Sequence, residues 1–393
     1  MEGWMILGKA TLNKLRVNSP PGGWFPALQD LYWCISESNL PCADLFFSPH
    51  LKKIRIRVSW PWNNTALPLG PLPSLASIIS ALPTSSLERI WVYADNQTMP
   101  WAHFKDSFSS IILRCGPSFT ECDSPVPLSD AAMDHLIHLP RLHTWYIHGS
   151  PSTYSTSLPL VFPPLRELTL KKDAACGWLP LLRRLEGGAS TAQCVTPLSK
   201  AKESLKVLRV EDMTGINIDP YFVSTIQCFW SLVRLDVKDF CHGEHDNGQC
   251  NFKLNDNNIT ELTMALTQLE SLVLGYPCSK NACLTTVACL LPISVYCSKL
   301  KNLEIHFNTM NIVDDFKNIL EDPRFQQLRL LQKCPLAYLD VYRIPLRLDE
   351  SGFETVARGM VDIFPSLIDC DGIEESWNEL SRQITDLQRA RSE

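Results

Sequence analysis

One short phrase recurs about a dozen times along the chain: leucine, two residues, an apolar residue, one residue, another apolar residue. It reads Leu51-Lys-Lys-Ile54-Arg-Ile56, Leu165-Arg-Glu-Leu168-Thr-Leu170 and Leu205-Lys-Val-Leu208-Arg-Val210. It returns as Leu232-Val-Arg-Leu235-Asp-Val237, Leu300-Lys-Asn-Leu303-Glu-Ile305 and Leu336-Ala-Tyr-Leu339-Asp-Val341. Each phrase is too short to bury its apolar side alone, so it must stack on a neighbour of the same kind. A repeat at this scale dictates a solenoid, with one continuous core growing in one dimension.

The phrases are expected to begin near Leu12, Leu28, Leu51, Leu87, Phe108, Leu142, Leu165, Leu205, Leu232, Leu269, Leu300 and Leu336, with a worn copy near Phe364. Between them lie helical signals. Asp219-Pro220 is a capping residue followed by proline at the first helical position, ahead of apolar spacing from Tyr221 to Trp230. Asn258 with Glu261, and Ser351 with Glu354, have the spacing of capping boxes. Further helices are expected over 72–82, 130–139, 178–185, 284–296 and 313–320. Parallel strands alternating with helices give an α/β class fold: a curved solenoid, strands on the concave face and helices on the convex face. Residues 1–373 form the irregular array. Residues 374–393 place Trp377, Leu380, Ile384 and Leu387 at helical spacing, as a capping helix, a partner-binding helix or a tail.

Two proline-rich stretches, 59–73 and 149–164, read as surface loops. The start of the chain lacks the basic, apolar pattern of a signal peptide, and its longest apolar run, 283–297, is too interrupted to span a bilayer. The 15 cysteines are scattered and odd in number, which fits free thiols in a reducing interior, cytoplasmic or nuclear, better than a disulfide framework. A net charge of −6 argues against bulk nucleic-acid binding.

Catalytic and cofactor signatures are missing: there is no phosphate-binding glycine loop, His-Glu-x-x-His, Cys-x-x-Cys or Gly-x-Ser-x-Gly. The segment from Cys241 to Cys250, with His242 and His245, offers zinc-type donors, but its spacing reads as a polar loop. The expectation is a non-enzyme without metal or cofactor.

Alternate residues of a strand point to opposite faces, so residues between the apolar members should line the concavity. Early repeats would display Lys14, Arg16, Asp30, Tyr32, Lys53, Arg55, Arg57, Arg89, Trp91, Tyr93, Arg114, Tyr146 and His148. Late ones would display Arg234, Asp236, Lys238, Asn302, Glu304, His306, Tyr338, Asp340 and Tyr342. The early set is basic with interleaved aromatics, the composition of interaction hot spots and of surfaces that hold acidic or phosphorylated segments. The candidate partner-binding residues are Lys53, Arg55, Arg57, Arg89, Trp91, Tyr93, Tyr146 and His148. The alternative is a solvated strand face of no special role.

The phrases Leu165-Arg-Glu-Leu-Thr-Leu170 and Leu269-Glu-Ser-Leu-Val-Leu274 resemble the leucine-rich repeats of F-box proteins, and the irregular spacing resembles fungal members. The segments 139–145, 162–168 and 359–367 add to this likeness. The resemblance implies the substrate-recognition part of an F-box-type ubiquitin ligase receptor. The helical F-box module itself is not found, since the first phrase is expected at Leu12, so a cullin-ligase adaptor is implied only if an F-box exists outside this chain. The alternative is a stand-alone scaffold, and a third class, a GTPase-activating repeat protein, lacks any residue that marks it.

Overall fold

The computed structural model describes residues 9–18, 20, 24–35, 42, 45–58, 76, 79–94, 101–148, 165–172, 199–212, 218–239, 252–275, 284–329, 334–341, 346–372 and 375–392. The chain divides into two compact units, Met1–Leu165 and Arg166–Glu393.

In the first unit the elements run α1 (Lys9–Val17), β1 (Asp30–Ile35), β2 (Lys53–Val58), β3 (Arg89–Ala94), α2 (Lys105–Arg114), β4 (Glu121–Ser124), α3 (Asp130–Ile137) and β5 (Thr144–His148). Each strand pairs in parallel with the one before it, in the order β1-β2-β3-β4-β5. A backbone device repeats at every step. The Gln29 carbonyl accepts the N–H groups of Lys52 and Lys53, that of Lys52 accepts Glu88 and Arg89, that of Glu88 accepts Thr120 and Glu121, and that of Thr120 accepts His143 and Thr144. Each phrase also opens on a closed turn, with the N–H groups of Leu51, Leu87, Phe119 and Leu142 donating to the carbonyls of Ser48, Thr84, Gly116 and Leu139. These paired bonds fix register, and register fixes which side chains share a face.

The strand β2 shows the consequence. Leu51, Ile54, Ile56 and Val58 are buried, whereas Arg55 and Arg57 are exposed. Each such aliphatic side chain contributes about 1.5–3 kcal/mol relative to exposure. The helices α2 and α3 cover the apolar side with Phe108, Ile111 and Ile112, and with Met133, Leu136 and Ile137. Ser129 caps α3, its hydroxyl accepting from the Ala132 N–H at 3.3 Å.

Two expected strands in this unit are helices. The segment around Leu12 is α1, where Leu12 packs with Cys42 and Leu45 in a small separate core, so Lys14 and Arg16 lie exposed on a helix. The segment around Phe108 is α2, because Phe108, Ile111 and Ile112 follow a helical spacing of three and four; Arg114 ends that helix. The strand that takes its place, β4, follows Phe119-Thr-Glu-Cys122-Asp-Ser124, with phenylalanine, cysteine and serine in the slots held elsewhere by leucine, isoleucine or valine.

The second unit repeats the plan. Its elements are β6 (Glu167–Lys172), α4 (Ser199–Ser204), β7 (Val207–Asp212), α5 (Pro220–Ile226), β8 (Arg234–Asp239), α6 (Asp256–Ala265), β9 (Ser271–Leu274), α7 (Leu290–Tyr296) and β10 (Asn302–Ile305). There follow α8 (Ile312–Glu321), α9 (Pro323–Arg329), β11 (Tyr338–Asp340), α10 (Glu350–Ile363), β12 (Asp369–Asp371) and α11 (Glu375–Ser392). The strands again pair in parallel and in sequence order from β6 to β12. The same doubled acceptor recurs at Arg166, Lys206, Val233, Glu270, Lys301 and Ala337. The architecture of each unit is therefore a repeating, parallel α/β array.

Helix starts differ in detail from the sequence expectation. Asp219 caps α5 as expected, accepting from the Phe222 N–H at 2.9 Å. The cap of α6 is Asn255, whose side chain accepts from the Asn258 N–H at 3.0 Å while the Asn258 side chain accepts from the Asn255 N–H at 3.2 Å. The cap of α10 is Asp349, accepting from the Gly352 N–H at 2.7 Å, and not Ser351. In both cases the extended residue before the helix carries the short polar side chain, which decides the start.

The last helix lies against α10 and the end of the sheet. Trp377, Leu380 and Ile384 are buried, the Arg391 guanidinium pairs with Asp362 at 2.7 Å, and the Gln388 amide donates to the Leu367 carbonyl. Ser381 Oγ accepts from the Cys370 N–H of β12 at 3.3 Å and sits 3.2 Å from Asp369 Oδ1. The described cysteines are free thiols. Burial pushes Cys115 and Cys297 up to about 12 and Cys334 to about 11, so these thiols stay protonated and pack as small apolar groups. The expected loops at 59–73 and 149–164, the Cys241–Cys250 segment and the helix expected over 178–185 lie outside the described residues; of the one expected over 72–82, Ala76, Ile79 and Ser80 are helical.

Candidate recognition face

In the first unit three rows of side chains run across the face opposite the buried aliphatic residues. Register aligns Asp30, Lys53, Arg89, Glu121 and Thr144 in the first row. It aligns Tyr32, Arg55, Trp91, Asp123 and Tyr146 in the second, and Cys34, Arg57 and Tyr93 in the third. Seven of the eight sequence-predicted residues therefore fall on three neighbouring rows. His148 is the final residue of β5, and its side chain lies outside the described set.

The first row holds two cations side by side, Lys53 and Arg89, with an acid on either flank, Asp30 and Glu121. The Lys53 ammonium lies 3.2 Å from Asp30, the Arg89 guanidinium 3.8 Å from Glu121, and Glu121 also accepts from the Trp91 indole N–H at 2.8 Å. Glu121 and Asp123 come from β4, the strand that the leucine phrase does not reveal. The early face is consequently less basic than the sequence implies.

The second row centres on Arg55. Its guanidinium carbon stands 5.0 Å from the Trp91 ring centre and 5.9 Å from the Tyr32 ring centre. Among the described residues Arg55 has no carboxylate partner, and it is exposed. Cation–π contacts of this kind contribute about 0.5–1 kcal/mol at exposed positions. They also hold a long side chain in place, which reduces the entropy lost when a ligand binds. The Tyr93 hydroxyl donates to the Tyr32 hydroxyl at 3.0 Å. Burial, followed by that hydrogen bond, raises the Tyr93 phenol to about 12, so it remains a neutral donor.

The second unit presents a mixed face with internal pairing. Arg234 lies 2.7 Å and Arg209 3.3 Å from Asp236 Oδ2, while Arg209 also lies 3.2 Å from Glu167. Asp236 is only 3% exposed, so it is a buried counter-ion and not a displayed acid. Lys238 approaches Glu304 at 4.0 Å, and the Tyr338 hydroxyl donates to Asp371 at 3.3 Å. His306, expected on this face, follows the end of β10 and is 5% exposed; burial lowers its imidazole to about 4. Tyr342 lies outside the described residues.

No group of three or more histidine, cysteine, aspartate or glutamate side chains could hold a metal among the described residues. A cavity beside Phe108, Cys122 and Trp145 has a volume of about 10 Å³, room for about one water molecule. No described helix is long and apolar enough to cross a membrane.

No protein-family model and no curated protein matches the chain. Among solved structures it is similar to a structural-genomics target from Bacteroides fragilis, with 10% identity over 69% of this chain and 75% of that one, at a TM-score of 0.36. The functional reading therefore rests on this chain's own residues.

Proposed function

We propose that the chain is a binding protein and not an enzyme: a curved, irregular leucine-rich-repeat solenoid whose open strand face in the first unit holds an extended segment of another protein. The observation that carries this reading is Arg55, exposed, flanked by Tyr32 and Trp91, and without a carboxylate partner among the described residues. A guanidinium held between aromatic rings combines the residue types that dominate interface energetics. The ion pairs of Lys53 with Asp30 and of Arg89 with Glu121 border that patch.

The partner is an acidic protein segment met in the cytoplasm or nucleus. Its finer identity, a substrate delivered to an F-box-type ubiquitin ligase of the fungal kind, is supported by the leucine phrases alone. Affinity purification of tagged chain tests both levels. Replacing Arg55, Arg57 and Arg89 together by alanine should remove the specific partner while the circular dichroism spectrum is unchanged. Retention of every partner by the folded triple variant contradicts the binding face. Cullin and adaptor subunits in the purified complex favour the ligase role, and a stable partner without them favours a stand-alone scaffold.

A further inference from the structure

We infer that Tyr93 is a positioning residue of the recognition face: it acts through Tyr32 to hold the Arg55 side chain, and does not itself touch the partner. The inference rests on the binding reading above and gives one of its candidate contact residues a different role.

The first ground is where the hydroxyls meet. Tyr32, Arg55 and Trp91 are direct partners in the second row, on β1, β2 and β3. Tyr93 belongs to the third row, beside Arg57 and two residues beyond Trp91. Its hydroxyl nevertheless donates to that of Tyr32 at 3.0 Å. The two phenols therefore lean towards each other from either side of β2 and close over it. Among the described residues Tyr93 makes no other side-chain hydrogen bond.

The second ground is the build of the clamp. The Arg55 guanidinium carbon lies 5.9 Å from the Tyr32 ring centre and 5.0 Å from the Trp91 ring centre. Each ring is tied from a strand other than its own. Trp91 of β3 donates to Glu121 of β4 at 2.8 Å, and Tyr32 of β1 accepts from Tyr93 of β3. An aromatic side chain whose polar end is held keeps its ring turned to the cation. With both rings tethered, Arg55 has less rotamer freedom to lose when a ligand binds.

The third ground is protonation. Burial, then the bond to Tyr32, raises the Tyr93 phenol to about 12 against the opposing pull of Arg55 and Arg57. The hydroxyl keeps its proton across the physiological range, so the bridge persists. Tyr93 is half-buried, and its hydroxyl is engaged within the face.

The experiment reads Arg55 first without a ligand. Full-length protein carries isotope-labelled arginine, the Nε–H signal of Arg55 is assigned by its loss in Arg55→Ala, and its heteronuclear NOE is measured. Tyr93→Phe and Tyr32→Phe each delete one end of the same hydrogen bond and keep both rings. Both should lower the Arg55 NOE while the melting temperature stays within a few degrees of wild type. Binding is then titrated with a fluorescent octaglutamate peptide as probe. Tyr93→Phe should weaken it about two- to tenfold, the worth of one hydrogen bond. Adding Tyr93→Phe to Arg55→Ala should change nothing further. An unchanged Arg55 NOE in Tyr93→Phe, with or without a lower melting temperature, overturns the inference. So does a further loss of binding when Tyr93→Phe is added to Arg55→Ala, which would mean that Tyr93 touches the ligand. Equal binding of the probe by wild type and Arg55→Ala contradicts the binding reading alone, and the NOE still decides the positioning role.

Discussion

The indole N–H of Trp91 donates to Glu121 Oε1 at 2.8 Å, joining β3 to β4 across the open face of the first unit. The same carboxylate stands 3.8 Å from Arg89, so one acid restrains two of the residues that the sequence marks for binding. Glu121→Gln keeps an acceptor for Trp91 and deletes the charge. Thermal stability should change by less than about 1 kcal/mol, as expected for a partly exposed pair. Affinity for an acidic peptide should rise, since Arg89 loses its competitor. Titration of the variant reads this directly, and weaker binding would mean that Glu121 contacts the ligand itself.

The pH dependence of stability should carry a signature of His306. Burial lowers its imidazole from 6.5 to about 4 in the folded chain. Between those values the unfolded chain holds the extra proton, so acid favours unfolding. The sign is thus fixed: the contribution is complete above about pH 6.5 and is lost as pH falls towards 4. The loss is on the order of 3 kcal/mol at the lower end. Denaturant unfolding of wild type and His306→Gln across this window should diverge. Parallel curves would place His306 in water.

Gly359 on α10 meets the Phe316 ring of α8. A Cβ there would lie 2.8 Å from Cε1 and 2.9 Å from Cγ, inside van der Waals contact. Gly359→Ala should therefore destabilise by about 1–3 kcal/mol, although alanine is the better helix former. A melting temperature at or above wild type would show that α8 and α10 are further apart.

Trp377 is fully buried where α11 meets the end of the sheet. Trp377→Ala should cost about 3–5 kcal/mol. Limited proteolysis should then cut first within residues 375–392, because the helix loses its apolar anchor. An unchanged cleavage pattern would make α11 peripheral.

What the sequence reveals is the periodic part. Leucine phrases such as Leu51–Ile56 and Leu300–Ile305 mark strands because their apolar slots face the core at fixed offsets. What it conceals follows from substitution within those slots. Phe119, Cys122 and Ser124 satisfy the same buried positions in β4 without spelling the phrase, while Phe108 begins an apolar run that pattern alone assigns to either element. The site inherits that error: without β4 the face looks basic, and Glu121 and Asp123 are missing from it. The burial of Asp236 and His306 was hidden for another reason, since burial of a polar residue depends on neighbours distant in sequence.

Register among the strands of the first unit is the claim on which the recognition face depends, and paired cysteines test it. Arg55 and Trp91 are direct partners on β2 and β3, whereas Arg55 is offset by two residues from Arg89 and from Tyr93. Neighbouring strands lie about 4.8 Å apart, within the range that a disulfide spans, and the offset pairs lie beyond it. Mild oxidation followed by peptide mass mapping should give a cross-link in Arg55→Cys/Trp91→Cys and none in Arg55→Cys/Arg89→Cys or Arg55→Cys/Tyr93→Cys. A cross-link in either offset pair without one in the direct pair would contradict the strand alignment and, with it, the face.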